Sequence, residues 1–413
     1  MRQLFSEPPF RSSASGPPTG GVEAIADAAL ASIRTRGTYR HMRVLDGMQA
    51  PSMRVDGRDV LLFAGSNYLD LAAHPELADA AARAARDWGC AAGGSRLING
   101  NLSLHEQLEA ELANFLGVES ALVFPTGYQA NVGVIPALVG PGDAVVSDAL
   151  VHASIIDGCR LSRAAVHVFE HGSVEALEAR LADVAPQHRR TLLVLDGVYS
   201  MDGDVAPLPA MLAAARRHGA LVLLDDAHGI GCLGAGGRGS AEALGVELRD
   251  VDVLVGTLGK ALGSFGAFVA GPAGLRELLV NTARSFVFSC ALAPPQVAAA
   301  QAALTLLARE PWRRVRLQAN AARLRAALAA RGIATAPSRT HIIPVRIGDN
   351  DRTMTVAEKL LARGFYAQGI RHPSVPDGTA RLRLTVMATH EDAQIDALAV
   401  AVAEELGAAE ARP

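Results

Sequence analysis

Lys260 is the residue whose type and surroundings point most directly to chemistry. It lies in the stretch TLGKALGS, and Lys359 is the only other lysine among the 39 Lys and Arg residues of the chain. A primary amine loses its proton readily and condenses with a carbonyl, which a guanidinium does not do. Small residues flank Lys260, whereas Lys359 follows Glu358 in a predicted helix and is typical of a surface lysine. We therefore predict that Lys260 attaches an aldehyde cofactor, pyridoxal 5'-phosphate (PLP).

Other polar residues supply groups that this cofactor would need. Asp225 ends the run LLDD, and a carboxylate beside the pyridine nitrogen keeps the ring protonated as an electron sink. Gly127 and Tyr128 open a predicted helix, whose first N–H groups suit a phosphate. Thr257 offers the phosphate a hydroxyl, and His152 offers a ring that could stack on the cofactor. Each residue alone is more often part of a capped turn or a hydrogen-bonded histidine, so the PLP interpretation depends on their joint occurrence.

The elements that would position these residues are short apolar runs that alternate with helical patterns. The runs are ESALVFP, GDAVVSD, AAVHVFE, RTLLVLDG, GALVLLDD, DVDVLVGT and GAFVAG. This alternation is typical of βαβ units, so we predict an α/β fold with a mostly parallel seven-stranded sheet. The polar stretches PTGYQAN, SDALVHAS, DGVYSMDGD, DDAHGIG and GTLGKALGS each follow an apolar run. Because sites in such sheets form at the carboxyl ends of strands, we expect these stretches to meet there.

The pattern along the chain predicts three units. Residues 1–58 form an N-terminal arm, a helix and a hairpin with Asp56 and Gly57 at its turn. Residues 59–293 form the large PLP-binding domain, and residues 294–413 form a smaller C-terminal α+β domain. The first residues, MRQLFSEPPFRSSASGPPTGG, have the composition of a loose segment and lack the apolar stretch of a secretory signal.

The composition excludes several classes of function. Hydrophobic residues make up 50% of the chain and charged residues 20%, with a formal net charge of -3. No basic run indicates a nucleic-acid or membrane partner, and no apolar run approaches the ~18 residues of a membrane span. The four cysteines have no metal-ligand spacing, which argues against zinc and fits a reducing compartment. We expect a soluble cytoplasmic protein without a metal.

The chain resembles the α-oxoamine synthases from about residue 38 to residue 405. The matching stretches, in order, are SNYLDLAAHPEL, GGSRLINGNLSLHEQLEAELA, SDALVHASIIDGCRLS, DGVYSMDGDVAPL, DDAHGIGCLGAGGRG, TLGKALGSFGAFVAG and RHPSVPDGTARLRLTVMATHE. The resemblance implies a PLP-dependent transferase of fold type I. It also implies a homodimer whose active sites lie at the subunit interface.

The resemblance implies a role for each polar residue that matches a family motif. The cofactor-binding and catalytic residues would be Lys260 (covalent attachment), Asp225 (pyridine nitrogen), His152 (ring face), Ser200 and His228 (ring hydroxyl oxygen), Thr257 (phosphate) and Ser289 (phosphate of the neighbouring subunit). Asn67 and Arg371 would hold the carboxylate of the amino acid, for which a planar guanidinium is well suited.

The implied reaction joins an α-amino acid to an acyl-CoA or carrier-bound acyl thioester, with loss of carbon dioxide, to give an α-aminoketone. The amine of Lys260 would act as the general base at the α-carbon. We favour the branch that joins L-alanine to a pimeloyl thioester for biotin. The alternatives are a serine palmitoyltransferase-like or specialised-metabolite synthase, a glycine C-acetyltransferase and, in another class, a PLP aminotransferase. Asp70, His372 and Ser374 depart from the family pattern near the expected substrate region and leave the substrates open.

Overall fold

The computed structural model of the protein describes residues 21–407, so the predicted loose arm falls almost wholly outside the described residues. The strands are β1 Leu45–Asp46, β2 Ser52–Val55, β3 Arg58–Leu62, β4 Ser120–Phe124, β5 Ala144–Asp148, β6 Ala165–Phe169, β7 Thr191–Asp196, β8 Leu221–Asp225, β9 Val253–Thr257, β10 Ala267–Gly271, β11 Ile342–Gly348, β12 Phe365–Tyr366, β13 Gln368–Ile370 and β14 Ala380–Thr385.

Helices connect and cover these strands. They are α1 Val22–Thr35, α2 Pro75–Trp88, α3 Ser103–Leu116, α4 Gly127–Leu138, α5 Ala153–Ser162, α6 Val174–Val184, α7 Leu208–Arg217, α8 Ser240–Ala243, α9 Ala273–Thr282, α10 Arg284–Val287, α11 Pro294–Arg309, α12 Trp312–Ala329, α13 Asn350–Ala362 and α14 Asp392–Leu406. A π-helical turn covers Arg96–Gly100, and 3₁₀ turns cover Ala185–Gln187 and Leu248–Asp250.

The central element is a seven-stranded sheet with the order β4–β10–β9–β8–β7–β5–β6. Each of the seven apolar runs forms one of its strands. The pairs β5–β6, β5–β7, β7–β8 and β8–β9 are parallel, whereas β10 is antiparallel to both of its neighbours. The predicted α/β fold with a mostly parallel seven-stranded sheet is therefore confirmed.

Apolar side chains cover both faces of this sheet. Along β7, Leu193 and Leu195 belong to one buried cluster, while Leu192 and Val194 belong to another. Successive side chains of a strand point to opposite faces, so helices must cover both sides, as is usual for parallel sheets. Polar groups are consequently concentrated at the ends of the strands.

The parallel register places the last residues of neighbouring strands side by side. Asp196, which ends β7, is in register with Asp225, which ends β8. Asp148 ends β5 and Thr257 ends β9 at the same edge of the sheet. Polar side chains from separate parts of the chain therefore share the carboxyl edge of the sheet, where a site was expected.

The C-terminal part contains a three-stranded sheet of order β11–β14–β13, packed against α13. The predicted hairpin is confirmed, because β2 and β3 are antiparallel and Asp56 and Gly57 between them have φ of 48° and 76°. β3 also pairs in parallel with β12, so the hairpin and the C-terminal part share a sheet. The boundaries that separate 1–58, 59–293 and 294–413 stay predictions.

Two kinds of feature do not occur among residues 21–407. None of their helices combines the length and the apolar character needed to cross a membrane. None of their His, Cys, Asp and Glu side chains come together in a group of three or more that could hold a metal ion.

Candidate active site at the carboxyl edge of the sheet

Lys260 lies in a tight turn between β9 and β10. The hydroxyl of Thr257, at the end of β9, donates to a main-chain carbonyl across the turn (3.0 Å) and accepts the N–H of Gly259 (3.2 Å). Gly263 has φ of +61°, and a Cβ at that position would lie 2.5 Å from the main-chain nitrogen of Ala72. Glycine is therefore required where the turn passes the neighbouring segment, and the turn holds Lys260 at the carboxyl edge.

The amine of Lys260 contacts His228. The distance from Nζ to Nε2 is 2.8 Å. Burial lowers the pKa of Lys260 to about 8, although the nearby Asp225 opposes this shift. A larger fraction of Lys260 is therefore free amine at neutral pH than of an ordinary lysine. A free amine at this position can act as a nucleophile toward a carbonyl or as a base.

Asp225 presents a buried carboxylate to the same edge. It is 7% exposed. Its Oδ2 accepts from Nδ2 of Asn131 (2.7 Å) and its Oδ1 from the N–H of Ala227 (3.0 Å). Within residues 21–407, no Lys, Arg or His nitrogen lies within 4 Å of this carboxylate. Since a buried carboxylate is costly without a cation, Asp225 fits a ligand with a positively charged ring nitrogen.

Asp196 is a second buried carboxyl group beside Asp225. Its Oδ1 accepts the main-chain N–H of His152 (3.3 Å). Burial and then the charge of Asp225 raise the pKa of Asp196 well above its usual range. A protonated Asp196 avoids two adjacent buried negative charges.

His152 is connected to Asp225 through side chains. It caps the N-terminus of α5, and its Nδ1 lies 2.7 Å from the hydroxyl of Ser154. That hydroxyl also accepts from Asn131 (2.9 Å), which donates to Asp225. The ring of His152 is exposed at the edge of the sheet. It is therefore free to contact a ligand, while its predicted stacking on the cofactor stays a prediction.

The start of α4 offers the predicted phosphate-binding groups. The hydroxyl of Thr126 caps this helix by accepting the N–H of Gln129 (3.1 Å). Gly127 and Tyr128 supply the first N–H groups, which have no acceptor within the helix. The amide of Gln129 donates to the hydroxyl of Ser289 (3.0 Å), which therefore lies near the start of α4 in its own chain. Its predicted role toward a neighbouring subunit stays a prediction.

Asn67 has contacts that hold a turn. Its Oδ1 accepts the N–H groups of Leu71 (3.0 Å) and Ala72 (3.1 Å), and its Nδ2 donates to the carbonyl of Gln49 (2.9 Å). The side chain is 8% exposed. Its amide is thus occupied by the protein itself, and its predicted contact with a substrate carboxylate stays a prediction.

The hydrogen bond of Arg371 goes to a part of the chain outside the cluster around Lys260. Its guanidinium donates to the main-chain carbonyl of Tyr39. It lines a cavity of about 780 Å³ between residues 37–43 and residues 354–374. The structure therefore does not bring Arg371 into contact with Lys260, His228 or Asp225.

Tyr68 and Arg383, like Asn131 and Asp196, belong to the site and were not singled out from the sequence. The hydroxyl of Tyr68 lies 2.7 Å from Nδ1 of His228. Arg383 donates to that hydroxyl (3.3 Å) and, through Nε, to the carbonyl of Ser200 (2.5 Å). Both therefore belong to the group that surrounds the amine of Lys260.

In the stretch ARLRLT, arginines alternate with apolar residues, and this pattern could have indicated Arg383 as a site residue. Residues two apart on a strand share a face, so Arg381 and Arg383 point to the same side of β14. Arg381 forms a salt bridge with Asp202. Within the described part of the chain, Arg383 has no carboxylate partner, which leaves it able to bind an anion.

The fold and the arrangement at its edge place this protein in the class of fold-type-I transferases. Residues 58–402 match the family model of class I and II aminotransferases. The chain belongs to this family and, within it, to the α-oxoamine synthases. The predicted family is thus confirmed.

Named relatives match along almost their whole length. The 8-amino-7-oxononanoate synthase of Geobacter sulfurreducens is 50% identical over 386 residues, which cover 92% of this chain and 97% of that protein. The synthase of the same name from Alkalilimnicola ehrlichii is 45% identical over 389 residues, or 94% of this chain and 99% of that protein. Among solved structures, a serine palmitoyltransferase from S. paucimobilis with PLP and myriocin bound is 35% identical, with a TM-score of 0.88 over 94% of this chain and 98% of that chain.

Proposed function

We propose that this protein is a PLP-dependent acyltransferase that joins L-alanine to a pimeloyl thioester with loss of carbon dioxide, as an 8-amino-7-oxononanoate synthase. The observation that carries the proposal is the amine of Lys260, held 2.8 Å from His228 beside a buried carboxylate that has no ion-pair partner within residues 21–407. The names of the relatives at 45–50% identity support the same reaction.

The residues at the edge of the sheet fit PLP. Asp225 would face the pyridine nitrogen, since its carboxylate has two hydrogen-bond donors but no ion-pair partner in the described part of the chain. Lys260 would bind the aldehyde carbon, and Thr257 with the first N–H groups of α4 would bind the phosphate. Ser200 and His228 would contact the ring hydroxyl oxygen. When bound, PLP supplies an electron sink for the α-carbon of the amino acid.

Lys260 and its neighbours would control the proton at the α-carbon. With a pKa of about 8, the amine of Lys260 can accept a proton near neutral pH and return it later. The amide of Asn131 fixes the carboxylate of Asp225 from one side. The raised pKa of Asp196 keeps a second negative charge away from this carboxylate.

Arg383 is the residue best placed to bind the carboxylate of the amino acid. It contacts Tyr68 and Ser200 within the site and has no carboxylate partner among residues 21–407. Guanidinium groups bind carboxylates with two parallel hydrogen bonds. Arg371 and Asn67 stay predicted ligands for the same group, and the guanidinium of Arg371 donates to the main-chain carbonyl of Tyr39.

A serine palmitoyltransferase-like reaction is the second candidate. It is favoured by the structural likeness to a serine palmitoyltransferase at a TM-score of 0.88. This reaction is the second candidate because the chain is 50% identical to an 8-amino-7-oxononanoate synthase but 35% identical to this serine palmitoyltransferase.

We also propose that the protein forms a homodimer with shared active sites. Ile98 is 83% exposed and Phe288 71%. They lie on adjacent segments, because Ser95 and Cys290 form a β-bridge. Exposed apolar residues that cluster in this way mark interaction sites.

We also propose that the protein is located in the cytoplasm. The four free cysteines fit this reducing compartment.

The test is a substrate panel with the purified PLP-loaded protein. Alanine, serine and glycine would each be combined with several acyl-CoA and acyl-carrier thioesters, while free thiol, carbon dioxide and aminoketone are measured. We expect all three products with alanine and pimeloyl thioester. Formation of these products from serine and a long-chain acyl thioester would support the second candidate. Amino-group transfer to a keto acid without thiol release would refute both.

A further inference from the structure

A chain of three hydrogen bonds crosses the site from Arg383 to Lys260. Arg383 lies 3.3 Å from the hydroxyl of Tyr68, which lies 2.7 Å from Nδ1 of His228. Nε2 of the same ring lies 2.8 Å from the amine of Lys260. Tyr68 is 1% exposed and His228 9%. The direction of each hydrogen bond in this chain determines which form of the lysine it stabilises.

The first two bonds have a single favourable direction. A guanidinium has donors only, so Arg383 donates to the oxygen of Tyr68. Among the described residues, the hydroxyl of Tyr68 has no hydrogen-bond partner other than Arg383 and His228. Its proton must therefore go to Nδ1 of His228, because otherwise a buried donor would remain without an acceptor.

The direction of the last bond follows from the state of His228. Burial, followed by the charges of Lys260 and Arg383, lowers the pKa of His228 well below its usual range. A neutral imidazole that accepts at Nδ1 carries its proton on Nε2. That proton can be donated to the amine of Lys260, whereas an ammonium group has no lone pair to accept it.

We therefore propose that Tyr68 is a positioning residue that keeps His228 in its Nε2–H form and thereby favours the free amine of Lys260 over its ammonium. The inference rests on the proposed function, in which Lys260 must be an amine to bind the cofactor aldehyde and to accept a proton.

Packing supports this role of Tyr68. Its ring lies 4.0 Å from the ring of His341, measured between centroids. Both nitrogens of His341 are buried without a hydrogen-bond partner among the described residues. His341 therefore holds the ring of Tyr68 by contact alone and does not compete for its hydroxyl.

Of the other charged or titratable groups that act on Lys260, Arg383 bonds this hydroxyl, and without it Arg383 keeps its hydrogen bond to the carbonyl of Ser200. Besides His228 these groups include Asp225, Arg383, Asp196, Cys232, His152, Asp226 and His341. Removing only the oxygen of Tyr68 leaves all of them in place. A change in the protonation of Lys260 would then report on the hydrogen bond to His228.

The test is Tyr68→Phe in the full-length chain after removal of PLP. The two lysines would be acetylated in competition over a range of pH and quantified by mass spectrometry, with the exposed Lys359 as internal reference. In the variant, Nδ1 can take the proton and Nε2 can accept from the ammonium of Lys260. We expect the pKa of Lys260 to rise, so that labelling at neutral pH falls about tenfold, which corresponds to about 1.4 kcal/mol.

Tyr366→Phe is the matched control. It also removes one tyrosine hydroxyl, which here donates to Gln368 (3.2 Å) in the C-terminal part. This variant should label Lys260 like the unaltered protein. Equal labelling of Lys260 in Tyr68→Phe and in the unaltered protein would overturn the proposal.

A second measurement observes the unaltered chain and does not require Tyr68→Phe to fold. Nitrogen-15 NMR of histidine-labelled, PLP-free protein, with the signal assigned through His228→Gln, should show Nδ1 without a proton and Nε2 with one. A proton on Nδ1 would overturn the proposal. Equal labelling of Lys260, or a proton on Nδ1 of His228, would leave the proposed function intact if the unaltered protein binds PLP and releases free thiol from the acyl thioester. Failure to bind PLP would refute the proposed function instead.

Discussion

Replacing His171 by glutamine should lower the stability of the protein, and more so at pH 6 than at pH 9. His171 follows β6 at the carboxyl edge of the sheet, where Nδ1 lies 2.9 Å from Asp148 and Nε2 lies 2.9 Å from Asp204. Asp148 is fully buried. Glutamine could donate to one of these carboxylates but carries no charge to neutralise them.

The magnitude follows from the pKa of His171. Burial alone would lower this pKa, but the hydrogen bonds and charges of Asp148 and Asp204 outweigh burial and raise it to about 10. An unperturbed histidine has a pKa of about 6.5, and each pKa unit corresponds to about 1.4 kcal/mol. The ion pairs of His171 therefore contribute about 5 kcal/mol at most to the free energy of unfolding. Because the folded pKa is raised, the contribution is complete below pH 6.5 and is lost as the pH rises through about 10.

The assay is urea unfolding of both proteins from pH 6 to pH 10. We expect the variant to be less stable by about 2–5 kcal/mol at pH 6, with a difference that shrinks toward pH 10. His188→Gln is a suitable control, because that ring bonds a main-chain carbonyl (3.0 Å) and, among the residues that the structure describes, no carboxylate. A difference between His171→Gln and the unaltered protein that stays constant across this range would refute the reasoning.

Three further predictions concern the cofactor, the substrate and the dimer. Asp225→Asn keeps the shape but removes the charge, so PLP affinity in a fluorescence titration should fall about 10–100-fold; unchanged affinity would contradict the assignment. Arg383→Lys should raise the KM for alanine about tenfold or more, because lysine cannot make two parallel hydrogen bonds to the carboxylate. Arg371→Lys should raise this KM less, and the reverse order would indicate that Arg371 binds the carboxylate. Ile98→Asp should convert dimers to monomers in analytical ultracentrifugation, because Ile98 is 83% exposed in the single chain; an unchanged dimer would exclude this surface.

The sheet and the lysine at its edge could be predicted from the sequence because their signals are local. An apolar run followed directly by polar residues marks a buried strand and its carboxyl end, as LLDD does for Asp225. Lys260 could also be recognised locally, because the chain has only two lysines and small residues flank this one. The short strands β12 and β13 were missed because two or three residues carry no periodicity.

The contacts around Lys260 could not be predicted in the same way. Tyr68 and His228 are 160 residues apart, and Tyr68 and Arg383 are 315 apart. Which side chains meet over such separations depends on how the C-terminal sheet packs on the large sheet. Arg371 contacts Tyr39, and its role toward the substrate stays a prediction, while Arg383, which the sequence did not single out, lies beside Tyr68.

Covalent attachment of PLP to Lys260 is the central claim, and one measurement tests it directly. The full-length protein would be loaded with PLP, reduced with borohydride, digested and analysed by mass spectrometry. Since the chain has only two lysines, the result is unambiguous. We expect the added cofactor mass on the peptide that contains Lys260 and none on the peptide that contains Lys359. An unmodified Lys260, or equal modification of both lysines, would contradict this claim.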